Sequence, residues 1–590
     1  MQCLSSGIGE SAPAPRYAGL VMAAAEPPPE FLQEPPRLTN TFEADAALAD
    51  VVARLVPADL QGPLLPEWRA LGEAAAGPLA ALAREAEGDP PRHIPYDPWG
   101  ARLDEIRVSP AWTALHRAAA QWGLTAIPYE SGLGPFARLH QFALLALYGP
   151  SSAVYTCHLA MTDGAARTLI EHARPDLARG VVAHLTSRDP DQLWTSGQWM
   201  TERSGGSDVS GTATIARRDG EAWRLWGTKW FTSAITSEVA LTLARPEGAP
   251  EGSAGLSLFL VHQRRPDGTR NGIRILRLKD KLGTRALPTA ELALEGCLAE
   301  AVGDLDRGVK KITPLLNITR LHNAISACGM MARLLQLLRD YARRRVAFGS
   351  PLARKPLHRE TLATLQVEYE AALALTFDCA RLLGRVEAGE ASADERATLR
   401  LLTPLCKLMT ARQAVALASE ALEGFGGAGY VEDTGLPVWL RDAQVLPIWE
   451  GTTNVLSLDT LRALAREGVL EPWAAQAARR LEALASTPLA ESAREMRRRI
   501  EEAPRGLGAL AAAGPEVAES AGRQIALTLA GLSAAVALAE QGAWALAHGR
   551  GARAARAAGR WLSERVPELP SAGEAASRVA PSALLSGLED

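Results

Sequence analysis

Five short runs of β-type residues lie in the middle of a chain that is otherwise patterned for helices. They cover residues 223–230, 239–244, 256–262, 273–278 and 290–294. Gly, Pro and Asp residues separate the runs, which is typical of strands joined by turns. Five such strands in close succession predict a compact antiparallel β domain.

Leucine-rich and alanine-rich patterns with helical spacing lie on both sides of this β region. Runs such as 327–346 and 410–422 repeat apolar residues every three or four positions, as amphipathic helices do. The predicted fold class is therefore α+β, mostly α. We expect a flexible N-terminal extension at 1–40, an N-terminal helical domain at 41–195, a central β domain at 196–304, a helical domain at 305–460 and an additional C-terminal helical domain at 461–590.

Charge, hydropathy and cysteine use narrow the class of protein. The 590 residues carry a net charge of −4 with a pI near 6.3, so no global charge attracts nucleic acid or an anionic membrane. The nearest candidate for a membrane span, 525–539, is shorter than the roughly 18 residues required and is better explained as a buried helix. Six singly placed cysteines predict reduced core thiols in a cytoplasmic protein: Cys3, Cys157, Cys297, Cys328, Cys379 and Cys406.

Neither the N-terminal residues nor the histidines indicate another class of function. The first 35 residues are rich in proline and lack the basic segment and apolar core of a secretory signal, and Met22 is an alternative start. The sequence contains no His-Glu-x-x-His, P-loop or Gly-x-Ser-x-Gly motif, so we expect no metal. We interpret His158, His172 and His322 as structural or surface residues.

A lone carboxylate late in the chain is the best candidate for a chemical role. Residues 448–454 read Ile-Trp-Glu-Gly-Thr-Thr-Asn, which places Glu450 between bulky apolar residues and a polar turn. The local sequence offers no Lys or Arg to stabilise its charge, so partial burial should make this carboxylate the stronger base that proton abstraction needs. A structural carboxylate at a helix-opening turn explains this heptad equally well.

Four segments, in order, resemble motifs of the acyl-CoA dehydrogenase family. Residues 200–209, Met-Thr-Glu-Arg-Ser-Gly-Gly-Ser-Asp-Val, are similar to its flavin-facing loop, and residues 227–233, Gly-Thr-Lys-Trp-Phe-Thr-Ser, to its next flavin segment. Residues 345–349 match its Arg-x-x-Phe-Gly motif, and Glu450 lies where most members carry the catalytic Glu. The resemblance covers about residues 100–460 and implies the family fold: a helical domain, a β domain and a helical bundle.

The resemblance implies FAD as the cofactor, bound in part by the helical domain at 305–460. Gly205 and Gly206 would allow close approach to a flat ring, Phe231 would cover its face, and Arg345 would pair with a pyrophosphate across a subunit interface. Taken alone, a polar loop and a core aromatic explain the same residues. The implied cofactor residues are Met200, Thr201, Ser207, Phe231, Thr232, Ser233, Arg345, Phe348, Gly426, Gly427, Thr452 and Asn454, and the implied substrate residues are Ser207, Arg320, Trp449 and Gly451.

Residues 424–429 formally match the dinucleotide fingerprint Gly-x-Gly-x-x-Gly. The match follows a predicted helix at 411–422, whereas the Rossmann motif requires a preceding strand, so we reject that interpretation. By resemblance, Gly426 and Gly427 instead contact the cofactor of an adjacent subunit. Glu423 departs from the Gln that many family members have before this turn.

Further features resemble the AidB-like branch of the family, the flavoproteins of the alkylation response. The chain is longer than ordinary members, with the extra length at both ends, as in that branch. The similar segments are Arg-Leu-Asp-Glu-Ile-Arg at 102–107 with Pro-Ala-Trp at 110–112, Arg203-Ser204 in place of the usual Pro, residues 278–283, and Trp449 before the Glu.

The activity that the resemblance implies is α,β-dehydrogenation of an acyl-CoA thioester, a reaction of fatty acid metabolism. Glu450 would take the α-proton as the β-hydride passes to the flavin, with the Glu450 amide and a ribityl hydroxyl stabilising the carbonyl charge. Some members carry the base on a helix, at a position that is Thr319-Arg320 here and has no carboxylate. The implied electron acceptor is an electron-transferring flavoprotein or oxygen, and the implied assembly is a homotetramer.

The alternative is a DNA-associated flavoprotein of the stress response with little dehydrogenase activity. From Thr460 onward the chain has 16 Arg and no Lys against 15 Asp plus Glu, a net charge of +1, whereas a phosphate-binding surface needs clustered excess cations. DNA is therefore possible but not favoured. The arginines that could form patches are Arg497, Arg498, Arg499, Arg550, Arg553, Arg556 and Arg560, although helix-surface ion pairs with Glu495, Glu501 and Glu502 explain the first group better.

Overall fold

The computed structural model describes residues 33–130 and 132–587. The predictions about Cys3, the alternative start at Met22 and the extension before residue 33 lie outside the described residues. From residue 33 to residue 40 the chain has no helix or strand.

Seven α-helices and one β-hairpin precede the central sheet in the part of the chain that the structure describes. Their starts follow local signals: the hydroxyl of Ser109 accepts a hydrogen bond from the Trp112 amide at 3.1 Å, and Pro110 occupies the first position of α4. The elements are α1 (Ala46–Leu55), α2 (Ala58–Ala76), α3 (Pro78–Gly88), β1 (Arg92–Tyr96), β2 (Arg102–Arg107), α4 (Pro110–Gln121), α5 (Ala137–Tyr148), α6 (Thr156–His172) and α7 (Pro175–Leu185).

The β1–β2 hairpin departs from the helical prediction for residues 41–195. Its key residue is Asp104, whose buried carboxylate accepts hydrogen bonds from His93 Nε2 at 2.8 Å and Arg102 Nε at 2.7 Å. The same carboxylate accepts the backbone N–H of Ile275 at 3.1 Å, from a strand 171 residues away. Because this contact is so distant in sequence, local periodicity does not reveal the hairpin.

The central β region contains the five predicted strands and two further short ones. Most neighbours pair antiparallel, as predicted, but β3 and β4 each run parallel to β6. The order is β3-β6-β4-β5-β9-β7, with β8 beside β9, and an additional β6–β7 pairing closes a ring of five strands. The strands are β3 (Ser196–Trp199), β4 (Ile215–Asp219), β5 (Ala222–Ser233), β6 (Val239–Pro246), β7 (Ser257–His262), β8 (Ile273–Leu278) and β9 (Thr289–Ala301).

Long helices return after the sheet. Three of them, α9, α10 and α11, have 32 residues each and pack against one another over largely buried faces. The elements are α8 (Gly308–Lys311), α9 (Thr313–Arg344), the two-residue strands β10 (Val346–Ala347) and β11 (Ser350–Pro351), α10 (Pro356–Glu387), α11 (Ala393–Gly424), α12 (Pro437–Ala443) and α13 (Thr453–Arg466). Helix α13 runs through residue 460, so the domain boundary predicted there falls inside one continuous helix.

The C-terminal helices pack onto α10, α11 and α13. One helix of the described residues, α16, is long and apolar enough by composition to cross a membrane, but 89% of its most apolar window is buried inside the protein. This helix is therefore a core element, as predicted for 525–539. The remaining elements are α14 (Leu470–Glu482), α15 (Ala490–Ala512), α16 (Pro515–Ala547), α17 (Arg553–Arg560) and α18 (Ala572–Ser586).

Candidate active site

Glu450 lies in the turn between α12 and α13, with its backbone in the left-handed region. Its φ angle is +56°, and Gly451 follows with φ of +105°. A side chain at Gly451 would also meet Leu456, because a Cβ there would lie 2.9 Å from Leu456 Cδ2. Non-glycine residues rarely adopt positive φ, and such strain concentrates at functional sites. Thr452 caps α13, so the prediction of a helix-opening turn is also correct.

Two side chains from distant parts of the fold bind the Glu450 carboxylate. The hydroxyl of Thr319, on α9, donates to Oε2 at 2.7 Å. Nε2 of Gln198, on β3, lies 3.5 Å from Oε1, at the long limit of a hydrogen bond. The carboxylate therefore stands where the β domain, α9 and the turn meet. In the sequence, Thr319 stands out only because that position lacks a carboxylate, and no motif points to Gln198.

Two cations approach the same turn, although none is near Glu450 in the sequence. Arg320 Nε donates to the Glu450 carbonyl at 3.3 Å, and Nη1 of the same arginine pairs with Asp459 at 3.1 Å. Lys407 Nζ, on α11, donates to the Gly451 carbonyl at 2.6 Å. Glu450 therefore has no Lys or Arg near it in the sequence, as expected, but the fold brings Arg320 and Lys407 to its turn.

Both polar and apolar side chains surround Glu450. Trp449 Nε1 donates to Asn323 Oδ1, and Asn323 lies one helical turn beyond Thr319 on α9. The other atom of that amide, Nδ2, and Oε1 of Gln198 are buried and have no hydrogen-bond partner among the described residues. Burial, followed by the charge of Glu450, raises the pKa of Cys157 to about 12, so this thiol stays protonated.

The Gly-rich loop at 200–209 is anchored from beneath by a buried ion pair. Glu202 accepts Lys229 Nζ at 2.7 Å and the Thr214 hydroxyl at 2.5 Å. The Thr201 carbonyl accepts the Trp230 amide at 3.0 Å, which joins the loop to β5. A Cβ at Gly206 would lie 2.5 Å from the Thr201 hydroxyl, so the loop folds closely onto that side chain. No sequence pattern reveals this ion pair, because Glu202 and Lys229 are 27 residues apart.

Three predicted cofactor residues at the end of β5 face different ways. Phe231 is 55% exposed, and the Ser233 hydroxyl lies half-buried, 3.1 Å from that of Thr289. The hydroxyl of Thr232 points into the sheet instead and donates to the Ala290 carbonyl at 2.6 Å. The side chain of Thr232 is therefore buried and engaged within the sheet, and its predicted role in cofactor binding stays a prediction.

The remaining predicted cofactor residues occupy exposed turns or partly buried loop positions. Arg345 precedes β10, and Phe348, at the tip of the β10–β11 hairpin, is 98% exposed. Gly426 and Gly427 lie in a short 3₁₀ turn directly after α11, so a helix precedes them and the rejection of a Rossmann site is confirmed. In the loop at 200–209, Met200 is half-buried and Ser207 is exposed. Thr452 and Asn454 are both exposed at the start of α13.

The arginines of the C-terminal helices are mostly engaged in ion pairs. Arg497 pairs with Glu501, and Arg498 with Glu495 and Glu502, as predicted. The second group pairs with other parts of the fold: Arg550 with Asp50, Arg553 with Asp50 and Glu370, and Arg560 with Glu360 and Glu564. These pairs reduce the number of candidate arginines that are free to bind phosphate.

No group of three or more potential metal ligands occurs in the described residues. Two of the histidines noted in the sequence lie in the core, where His322 Nε2 contacts Asp163 at 2.8 Å and His158 Nε2 lies 3.2 Å from the Thr236 hydroxyl. The five cysteines within the described part of the chain are free, and four of them are buried.

Three protein-family profiles match consecutive parts of the chain. The adaptive response protein AidB N-terminal domain matches residues 33–192, the acyl-CoA dehydrogenase middle domain matches 197–297, and the acyl-CoA dehydrogenase C-terminal domain matches 306–465.

Individual relatives agree with these profiles. The chain is 47% identical over 451 residues to acyl-CoA dehydrogenase family member 11 of Caenorhabditis elegans, covering 75% of this chain and 73% of that protein. It is 33% identical over 439 residues to the putative acyl-CoA dehydrogenase AidB of Escherichia coli (strain K12), covering 73% and 79%. The crystal structure of Caenorhabditis elegans ACDH-11 in complex with C11-CoA matches with a TM-score of 0.92 and 40% identity, over 95% of this chain and 98% of that one.

The chain belongs to the acyl-CoA dehydrogenase family, oxidoreductases that act on the CH–CH group of acyl-CoA thioesters. Its N-terminal region and its similarity to AidB place it in the AidB-like branch. The predicted family, branch and fold class are confirmed.

Proposed function

We propose that this protein is an FAD-dependent dehydrogenase in which Glu450 removes the α-proton of an acyl-CoA thioester. The observation that carries the proposal is the position of the Glu450 carboxylate. It is bound by Thr319 and Gln198 at the junction of three structural elements, in a turn held at positive φ.

The contacts of this carboxylate suit a general base. Thr319 donates to one oxygen at 2.7 Å, whereas Gln198 lies at the long limit from the other, so Oε1 is the less strongly engaged oxygen. A base must reach its proton at hydrogen-bond distance, and a weakly held oxygen is free to do so.

A thioester α-proton is removed only if the charge that develops on the carbonyl oxygen is stabilised. The backbone N–H of Glu450 has no hydrogen-bond acceptor among the described residues. A donor of this kind stabilises a developing oxyanion by roughly 3 kcal/mol. We assign this N–H to the substrate carbonyl, so that one residue supplies both base and donor.

The residues of the loop at 200–209 and of the end of β5 fit a flavin. Phe231 offers an exposed aromatic face, while the hydroxyls of Thr201, Ser207 and Ser233 and the amides of the closely folded loop offer hydrogen bonds. When bound there, FAD would supply the acceptor for the β-hydride, which is redox chemistry that side chains cannot perform. Glu202 and Lys229 would keep the loop in place.

Contact with a second copy of the chain would complete the cofactor site. Large apolar side chains are exposed beside the two sets of residues assigned to a neighbouring cofactor: Phe348 (98%) follows Arg345, and Tyr430 (90%) follows the Gly426–Gly427 turn. Exposed apolar groups of this size favour burial in an interface. We propose a homotetramer that passes electrons to an electron-transferring flavoprotein or to oxygen, located in the cytoplasm where its free cysteines remain reduced.

Anaerobic titration of the purified protein with a panel of acyl-CoA esters tests this function. Bleaching of the oxidised flavin spectrum by at least one ester, with the matching enoyl-CoA as product, is the expected result. A flavin that no ester reduces would overturn the assignment. Ester series that vary in chain length and branching would define the substrate.

A further inference from the structure

The side chain of Lys407 is fully buried beside the Glu450 turn and is not part of any ion pair in the described residues. Its exposed fraction is 0%, and its ammonium donates to the Gly451 carbonyl at 2.6 Å. Two other buried cations have a carboxylate partner: Lys229 binds Glu202 at 2.7 Å, and Arg138 binds Asp163 at 2.5 Å. Buried Arg333, like Lys407, donates to neutral oxygens instead. Burying an amine without such a partner is unfavourable, so a purely structural role predicts an apolar side chain here.

The carbonyl that Lys407 holds belongs to the second of two consecutive residues with positive φ. Glu450 has φ of +56° and Gly451 has φ of +105°, so the peptide unit between them has an orientation that few residue pairs adopt. Arg320 holds the carbonyl of Glu450 at 3.3 Å from the opposite helix, α9. Together, Arg320 and Lys407 fix both carbonyls of the turn that carries the base.

The two cations differ in how their charge is balanced. Arg320 pairs with Asp459 on α13, which also binds Arg400 on α11. Burial lowers the pKa of Lys407 to about 7, while the charge of Glu450 opposes this change and that of Arg320 adds to it. Glu450 is thus the carboxylate whose charge most favours a protonated Lys407.

We propose that Lys407 is a positioning residue for the Glu450 base: its buried ammonium fixes the turn and so holds the carboxylate in place to accept the substrate proton. This inference rests on the proposed function and adds to it a group from α11 that touches neither substrate nor cofactor.

The test compares Lys407→Met with wild type and with Arg412→Met, which removes an exposed cation from the same helix. Single-turnover flavin bleaching by an active acyl-CoA gives a limiting rate and a half-saturating concentration for each protein. For Lys407→Met we expect the limiting rate to fall by at least about tenfold, since small misplacements of a reacting group are costly, with the half-saturating concentration nearly unchanged. Arg412→Met should behave as wild type.

A second variant, Lys407→Gln, keeps a hydrogen-bond donor without a charge. It should retain more of the limiting rate than Lys407→Met, because its amide can still donate to the Gly451 carbonyl. Wild-type limiting rates in both variants would overturn the inference. Loss of FAD and of cooperative unfolding in both would also count against it, because Lys407 would then be a folding residue. If no acyl-CoA bleaches the flavin of the wild-type protein, the proposed function is wrong. If wild type and all variants are bleached at the same rate, only the proposed role of Lys407 is wrong.

Discussion

The Thr319 hydroxyl donates a 2.7 Å hydrogen bond to the Glu450 carboxylate across a separation of 131 residues. This bond joins α9 to the turn before α13 and fixes one of the two carboxylate oxygens. It turns a threonine with no acid–base chemistry of its own into part of the site.

Replacing Thr319 with Val removes this bond while keeping the side-chain shape. A hydrogen bond to a charged group contributes about 1.5–3 kcal/mol, so partial loss of its orienting effect should slow flavin bleaching by about tenfold. Rapid-mixing absorbance under anaerobic conditions measures the rate. Thr361→Val, which removes a hydroxyl bonded only within α10, is the control. An unchanged rate in Thr319→Val would show that the bond does not position the base.

Glu450→Gln keeps the size of the side chain but cannot accept the α-proton. Flavin should stay bound, and its reduction by substrate should slow by about two to four orders of magnitude, the usual contribution of a positioned acid or base. The same absorbance assay applies, with the exposed Glu471→Gln as a matched control. Near-normal reduction in Glu450→Gln would place the base elsewhere.

The purified protein should be yellow, with one FAD per chain in an oligomer. Arg345→Ala should lower the FAD content because an exposed guanidinium suited to a pyrophosphate is lost. Absorbance at the flavin and protein maxima gives the stoichiometry, and light scattering after size exclusion gives the mass. A colourless monomer, even after incubation with FAD, would contradict both the cofactor and the assembly.

DNA binding should be weak. Because Arg550, Arg553 and Arg560 are already ion-paired, we expect affinity for duplex DNA no better than non-specific binding, about 10⁻⁴ to 10⁻⁶ M at physiological salt. Labelled duplex can be titrated at several salt concentrations with wild type and with these three arginines and Arg556 all changed to Gln. Sub-micromolar binding that the quadruple variant loses would favour the DNA-associated role.

Asp442 should make folding stability depend on pH. Burial raises the pKa of its carboxyl to about 7, above the usual value of 3.8, although the Thr284 amide donates to it at 2.5 Å. A raised pKa in the folded state favours folding below about pH 4, and this contribution is lost as pH rises towards 7. Each pH unit of the shift corresponds to about 1.4 kcal/mol. The advantage in Tm of Asp442→Asn over wild type should therefore grow between pH 4 and pH 7 and then level off.

Thermal unfolding followed by circular dichroism measures this difference. Asp433→Asn, at an exposed turn position, should show no such pH-dependent gain. A constant difference between Asp442→Asn and wild type across the range would show that Asp442 titrates normally.

Local patterns of apolar and turn residues were sufficient to predict much of the fold. The five β-type runs became β5 to β9 because each strand has its own apolar residues and turn boundaries. Strand alternation also predicts that the side chains of Phe231 and Thr232 face opposite sides of the sheet, as the structure shows.

The groups around Glu450 could not be predicted in the same way. Gln198 and Lys407 reach the turn from 252 and 44 residues away, and no sequence pattern records such contacts. The positive φ of Glu450 also lacks a sequence signal, because a glutamate is an unusual residue for that conformation. Packing of α9 and α11 against the turn determines these features.

The contact between Asp104 of the hairpin and Ile275 of β8 affects how the protein behaves at high concentration. Strand β8 pairs with β9 on one side only, which leaves the amide and carbonyl of Ile275 facing outward. Asp104 accepts that amide at 3.1 Å, and Arg102 donates to that carbonyl at 2.8 Å. Two side chains of opposite charge thereby occupy the hydrogen-bonding groups that another polypeptide would use to extend the sheet, and so protect an open edge from aggregation.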